Sequence, residues 1–139
     1  MEIVDTVYLI AYFRPNDPLH DRAIEVLEGL DEERRVSQAA LIELDLLMKS
    51  RGFNHRERDK VWTILSKVID VRFIEPITPL DMAVSAYLTE KYKMDYFDSI
   101  VASQCIMRKA SPLTADKEIE SIVSRAEKVI SELKEEGVL

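Results

Sequence analysis

Cysteine is nearly absent. Cys105 is the only one in 139 residues, so no disulfide can form within the chain. It stands in an apolar stretch and reads as a small buried hydrophobe, suited to a reducing compartment. Glycine and proline are scarce, 3 and 5 residues, which excludes long flexible linkers and collagen-like sequence. The two histidines, His20 and His55, make no set with zinc-site spacing. No apolar run is long enough to cross a bilayer. Glu2 and Asp5 stand where a secretory signal would open with basic residues. Basic residues are outnumbered, 19 against 26, and the net charge of −7 disfavours a protein that coats nucleic acid by bulk charge. The expectation is a soluble cytoplasmic protein with no membrane association.

The chain is 47% hydrophobic and 32% charged, a composition that folds. Its length predicts one domain over 1–139, burying roughly two thirds of the unfolded surface. Helix signals dominate, separated by short strand-like runs. Ile3-Val4 is apolar and β-branched, and a second apolar run covers Val7 to Phe13. Asp17-Pro18 reads as an N-cap and first helical residue, with Ala23, Ile24, Leu27 and Leu30 on one face. A short strand is predicted around Arg35-Val36, followed by a helix capped by Ser37 and ending near Gly52. Asn54 and Glu57 form a capping box, followed by an apolar stripe of Val61, Trp62, Leu65, Val68 and Ile69.

Val71-Arg72-Phe73-Ile74 reads as the clearest strand, stopped by Pro76. Thr78-Pro79 opens a helix predicted to turn Ala83, Ala86 and Tyr87 inward. A helix over about Asp95 to Lys109 comes next, then a strand at Pro112-Leu113-Thr114 and one long last helix from about Lys117. Strands alternating with helices imply crossover connections. The predicted fold is therefore α/β, a small parallel sheet flanked by helices. In such sheets, sites gather outside the carboxyl ends of the strands.

Most of the acids read as solvated surface, but a few interrupt apolar surroundings. Asp5 follows the first strand. Glu43 sits within Ala39-Ala40-Leu41-Ile42-Glu43-Leu44, sharing a helix face with Ala39, Ala40, Leu46 and Leu47. An unpaired charge on an apolar face is costly. Asp45 is its competitor, with Lys49 as a ready surface partner. Asp95 and Asp98 bracket Tyr96-Phe97, and Asp98 shares a face with Val101, Ala102 and Cys105. Asp116 follows Leu113-Thr114-Ala115. Asp5, Asp95 and Asp116 each have a plain alternative as helix caps. Glu43 has one as the edge of an amphipathic stripe.

Taken together, acids after three strand ends and one on an inward helix face converge at one edge of a parallel sheet. Like charges cannot stay ionised in an apolar pocket without a cation. An all-oxygen set selects a hard ion, Mg²⁺ or Mn²⁺, over zinc. Neither G-x-x-x-x-G-K-[ST] nor G-x-G-x-x-G nor G-x-S-x-G occurs, which excludes the phosphate-loop and dinucleotide readings and weakens a serine-hydrolase one.

These residues resemble the PIN-domain nucleases, and within them the VapC-like toxins. Ile3-Val4-Asp5-Thr6 is similar to the family's opening Asp-Thr motif, and Val36-Ser37 with Leu41-Ile42-Glu43-Leu44 to its strand-then-Glu segment. Phe97-Asp98-Ser99-Ile100-Val101-Ala102 and Leu113-Thr114-Ala115-Asp116 are similar to its later Asp motifs. The sequence departs from the pattern at Val7, where the family usually has Asn, and in the predicted long last helix, where the family often has a further strand.

The resemblance implies a Mg²⁺-dependent endoribonuclease acting on single-stranded RNA. Asp5 and Asp98 would be metal ligands, with Glu43 and Asp116 completing the pocket. Thr6, Ser37 and Thr114 would orient the carboxylates, and Asp95 is an auxiliary acid. It also implies a toxin restrained by a small antitoxin, and a homodimer.

RNA grip is expected from Lys49, Arg51, His55, Arg56, Arg58 and Lys60, which read equally well as a solvated helix face. Three other functions remain open. One is a PIN-type RNA-processing nuclease without an antitoxin, and another an inactive PIN-fold binding module. The third is a phospho-acceptor signalling domain, disfavoured because its paired acids and last-strand Lys have no good counterpart.

Overall fold

The computed structural model describes residues 1–139. Four short strands form one parallel sheet: β1 (Glu2–Val4), β2 (Arg34–Ser37), β3 (Ile74–Glu75) and β4 (Ser111–Leu113), in the order β3-β2-β1-β4. The chain steps from β1 through β2 to β3 on one side and then places β4 on the other side of β1. The strand order therefore reverses beside β1, the usual place for a site in an open α/β sheet. Val4 is in register with Val36 on one side and Leu113 on the other, so the residues just beyond all three strands lie along one edge.

Eight helices cover the sheet: α1 (Thr6–Tyr12), α2 (His20–Glu28), α3 (Gln38–Ser50), α4 (His55–Val68), α5 (Pro79–Tyr92), α6 (Tyr96–Arg108), α7 (Lys117–Ser124) and α8 (Ala126–Glu135). The two-residue period of β1 divides the core. Ile3 joins the buried cluster of α5, α6, α7 and α8, whereas Val4 joins that of α1, α2, α3 and α4. Ala39 and Ala40 divide in the same way, because α3 crosses the sheet edge between the two layers.

The predicted caps of α3 and α4 form: Ser37 accepts from the Ala39 amide, and Asn54 and Glu57 make a complete capping box. Four expectations change. The helix read from Pro18 starts at His20, with Leu19 in the cap position and Asp17 accepting the Leu19 amide. Val71–Phe73 is a 3₁₀ turn, because the Asp70 carboxylate accepts the Arg72 amide and closes a turn before the chain can extend; only Ile74–Glu75 joins the sheet. On α5, Ala83 and Ala86 are exposed, and the inner face is Asp81, Val84, Ser85 and Leu88. The last helix is two, broken at Arg125. There the Ser124 hydroxyl bonds back to the Ser121 carbonyl, competing with the helix, and Arg125 lies over the Tyr92 ring. α8 docks through the Tyr87 and Tyr92 hydroxyls, both donating to Glu132.

The polar face of α5 is matched by α6. Arg108 forks onto Asp81, with Nη1 2.7 Å from Oδ1 and Nη2 2.8 Å from Oδ2, and its Nε donates to Glu75 on β3. Arg35 on β2 donates to the other Glu75 oxygen at 3.0 Å. Deleting Arg108 would leave the buried Asp81 carboxylate without its cation and Glu75 with Arg35 alone, and breaking such a buried pair typically costs about 3–5 kcal/mol. Arg108→Ala should therefore lose about that much in a urea melt, whereas Arg72→Ala, which removes the partner of the exposed Asp70, should leave the melt almost unchanged. Equal losses from the two would show that the Arg108 network is dispensable.

Candidate active site

Each strand end beside the switch point delivers a polar residue. The chain leaves β1 into α1, with Asp5 at the cap position and 6% exposed. Its Oδ1 accepts the Thr6 amide at 2.7 Å and its Oδ2 accepts the Thr114 hydroxyl at 2.8 Å. Thr114, just beyond β4, also accepts the Asp116 amide at 3.0 Å, so one hydroxyl ties the first acid to the loop of the last. Asp116 caps α7 through the Glu118 and Ile119 amides. The cap reading of Asp116 thus holds alongside its place in the site.

Glu43 lies on α3, where the Thr6 hydroxyl donates to its Oε1 at 2.5 Å. Asp98 lies in the first turn of α6, half-buried. Asp5, Glu43 and Asp116 line an open pocket of about 300 Å³ together with Thr6, Val7 and Thr114. Asp98 adjoins these acids closely enough for all three to raise its proton affinity.

The electrostatics are those of crowded like charges. Burial first, then the charge and hydrogen bonding of Asp116, then Asp5 and Glu43, push Asp98 up to about 8. Burial raises Asp5 as well, against the opposing bonds from Thr114 and Thr6. Glu43 is raised by burial and by Asp5, Asp95 and Asp116, and lowered by the Thr6 hydroxyl. Asp95 is exposed and makes no capping bond with its side chain, so it contributes charge at the rim.

Two placements differ from expectation. Ser37 reaches no carboxylate. Its hydroxyl donates to Gln104 Oε1 at 2.6 Å, and Gln104 in turn donates to the Glu75 and Pro76 carbonyls, fixing α6 against β2 and β3. Asp45 pairs with Arg58, not Lys49, at 2.6 and 3.1 Å, and accepts the Trp62 indole at 2.9 Å. Both Arg58 contacts hold Asp45 below the usual carboxylate range and take Arg58 out of the basic stretch. Sequence reading left Arg14 unmarked. It follows the last turn of α1 and precedes Pro15, yet it stands four residues beyond Ile10 of the pocket wall.

No three His, Cys, Asp or Glu side chains stand ready-set around a metal ion. Asp5, Glu43 and Asp116 line one pocket and Asp98 adjoins them, without the four converging on a point. Their chemistry nevertheless fits a hard cation: every side-chain ligand atom is oxygen, and burial together with the neighbouring acids raises the proton affinity of Asp98.

The PIN domain family model matches residues 3–124. A search of curated proteins finds no match. Among solved structures, FitAcB from Neisseria gonorrhoeae is similar at a TM-score of 0.68 and 19% identity, covering 89% of this chain and 94% of that one. VapC20 of Mycobacterium tuberculosis, a toxin that cleaves the sarcin-ricin loop, is similar at a TM-score of 0.63 and 19% identity, covering 87% and 94%.

The raised Asp98 sets a pH dependence. Its folded-state affinity for the proton exceeds that of the unfolded chain, so its contribution to stability is complete below about pH 4 and is lost as pH rises towards about 8. Asp98→Asn removes the repelling charge. In metal-free buffer at pH 8 it should melt on the order of a few degrees above the parent chain, with the difference shrinking towards pH 4. A variant that melts lower than the parent at both pH values would make Asp98 a stabilising helix-start acid instead.

Proposed function

The chain belongs to the PIN domain family, and on that premise we propose that it is a metal-dependent endoribonuclease acting on single-stranded RNA, the toxin of a toxin–antitoxin pair. The observation that carries the reading is that Asp5, Glu43 and Asp116 line one pocket beside the ends of β1 and β4, with Asp98 adjoining them and two threonine hydroxyls bonded to the carboxylates. Asp5 and Asp98 are the residues to hold Mg²⁺ or Mn²⁺, with Glu43 and Asp116 completing the charge around it. A bound divalent ion supplies a water of lowered pKa and neutralises charge on the phosphate.

The remaining work falls to the chain. Thr114 fixes one Asp5 oxygen and the Thr6 amide the other, so this carboxylate is oriented before any ligand arrives. Thr6 similarly presents Glu43, whose raised proton affinity suits it to take a proton from an attacking water in the pocket. Asp98, whose proton affinity is raised, would have to be ionised to hold a cation, which would couple ion binding to pH. Val7, at the pocket wall, adds no polar atom and keeps that side apolar.

The similarity of fold to the sarcin-ricin-loop-cleaving VapC20 supports the toxin reading. The acidic pocket favours an antitoxin that places an Arg or Lys side chain in it. A homodimer belongs to the same proposal.

Purified chain should cleave single-stranded RNA with Mg²⁺ or Mn²⁺ and stop on adding EDTA. Asp5→Asn and Asp98→Asn should lower the rate by roughly 10²-fold or more, and Thr114→Val by about 10–100-fold through Asp5. Near-parental rates in both Asp variants would place the chemistry elsewhere. Expressed alone, the chain should slow growth of its host more than when expressed with its neighbouring reading frame. Equal growth would favour an RNA-processing nuclease.

A further inference from the structure

An apolar cleft of about 290 Å³ adjoins the acidic pocket, with Phe13, Met48 and Phe53 in its lining and Arg14 and Arg51 at its rim. Ile10 and Leu47 line both cavities, so the two are immediate neighbours. Their adjacency is written in the spacing. On α1 and just after it, Thr6, Ile10 and Arg14 recur every four residues. On α3 and its cap, Glu43, Leu47 and Arg51 do the same. Two ladders therefore run side by side from the carboxylates, across apolar rungs, to a pair of guanidinium groups. Along α3 the climb from Glu43 to Arg51 is about 12 Å at 1.5 Å per residue.

Both arginines are exposed, and neither makes an ion pair. Arg58, the nearby arginine of α4, is by contrast held by Asp45. In a chain of net charge −7, these two guanidinium groups stand together on one apolar cavity. Phe53 is 40% exposed and presents an aromatic surface at the same mouth.

We propose that this cleft is a nucleotide subsite for the strand whose scissile phosphate lies in the acidic pocket: Phe13 and Phe53 take an unpaired base, and Arg14 and Arg51 take the phosphates flanking it. The proposal rests on the ribonuclease reading. Charge complementarity selects the occupant. An acid-rich peptide drawn to the arginines would meet repulsion from Asp5, Glu43 and Asp116 next door, and a basic segment drawn to those acids would meet Arg14 and Arg51. A polyanion that enters the acidic pocket with its cation satisfies both ends. Its aromatic bases suit the apolar wall between them, where stacking tolerates any sequence. Arginine also matches phosphate geometry with paired donors.

The test separates binding from chemistry. A fluorescein-labelled octaribonucleotide is titrated in EDTA against the Asp98→Asn chain, followed by anisotropy across a range of salt. Adding Arg14→Gln and Arg51→Gln together should weaken binding by roughly tenfold at low salt. It should also flatten the slope of log K against log salt by about 1.4, two phosphate contacts at about 0.7 each. Adding Phe53→Ala should weaken binding by about five- to a hundredfold and leave the slope unchanged. An octamer abasic throughout should be insensitive to Phe53→Ala. Thermal melts confirm that each variant is folded.

No binding at low salt, or equal affinity and slope in all variants, overturns the subsite. So does an acidic amphipathic peptide that binds in an arginine-dependent way where the octamer does not. The ribonuclease reading is scored separately, by cleavage with Mg²⁺ in the parent chain. A parent chain that cleaves RNA alongside variants with unaltered binding sinks the subsite alone. Arginine-dependent binding with no cleavage supports the subsite and sinks the nuclease.

Discussion

Four carboxylates at the edge of a hydrophobic sheet repel one another, and the fold holds them there with hydroxyls and amides. Thr6 and Thr114 donate to Glu43 and Asp5, and the Thr6 amide occupies the remaining Asp5 oxygen. No arginine or lysine forms an ion pair with any of the four, although the chain uses arginines freely elsewhere to neutralise buried acids. The contrast with Asp81 and Glu75 is instructive. Those two are also buried, but each is met by a guanidinium, and Asp81 is held below the usual carboxylate range. Asp98, lacking any such partner, is driven the other way. One domain thus contains both arrangements of buried acids: an internal cation at Asp81 and Glu75, and none at the candidate site, where the proposed function calls for a cation from outside.

Holding an uncompensated cluster demands rigidity behind it. The inner face of α6 supplies this with polar contacts that are all satisfied. Ser99 meets Ser85 at 2.6 Å, Ser103 bonds back to the Ser99 carbonyl, and Gln104 bridges Ser37 to the Glu75 and Pro76 carbonyls. No buried side-chain polar atom lacks a partner. These bonds fix the register of α6 against β2, β3 and α5, and that register decides where Asp98 stands relative to Asp5.

The same division explains what could be read from sequence. Features set by a single segment were legible. Ser37 and Asn54 cap the helices that follow them, Asp5 and Asp116 stand just beyond strands, and Glu43 interrupts an apolar helical run. Features set by a partner on another element were not. The inner face of α5 is polar at Asp81 and Ser85, so hydrophobic periodicity pointed to the alanines. Only Arg108 and Ser99, on α6, make the polar face the buried one. Val71–Phe73 has strand composition, yet one carboxylate at Asp70 closes a turn there. Ser37 shows both sides: its cap was readable, but its bond to Gln104, 67 residues away, was not.

Arg14 and Arg51 extend this logic to the surface. Composition counted them among 19 basic residues outnumbered by 26 acids, and the net charge argued against a polyanion as ligand. Net charge is a far-field quantity, however, and salt screens it over about 10 Å at 0.1 M. What a strand meets at the pocket is the local arrangement. Within one helix length on α3 the side chains change from acid at Glu43, through apolar Leu47, to a free guanidinium at Arg51, and α1 repeats the progression from Thr6 beside Asp5 to Arg14. The proposed ribonuclease would therefore engage a polyanion through two adjacent devices of opposite sign, despite its acidic net charge. On the proposed reading one device requires a metal ion and the other does not, so salt and chelator should act on different parts of the same surface.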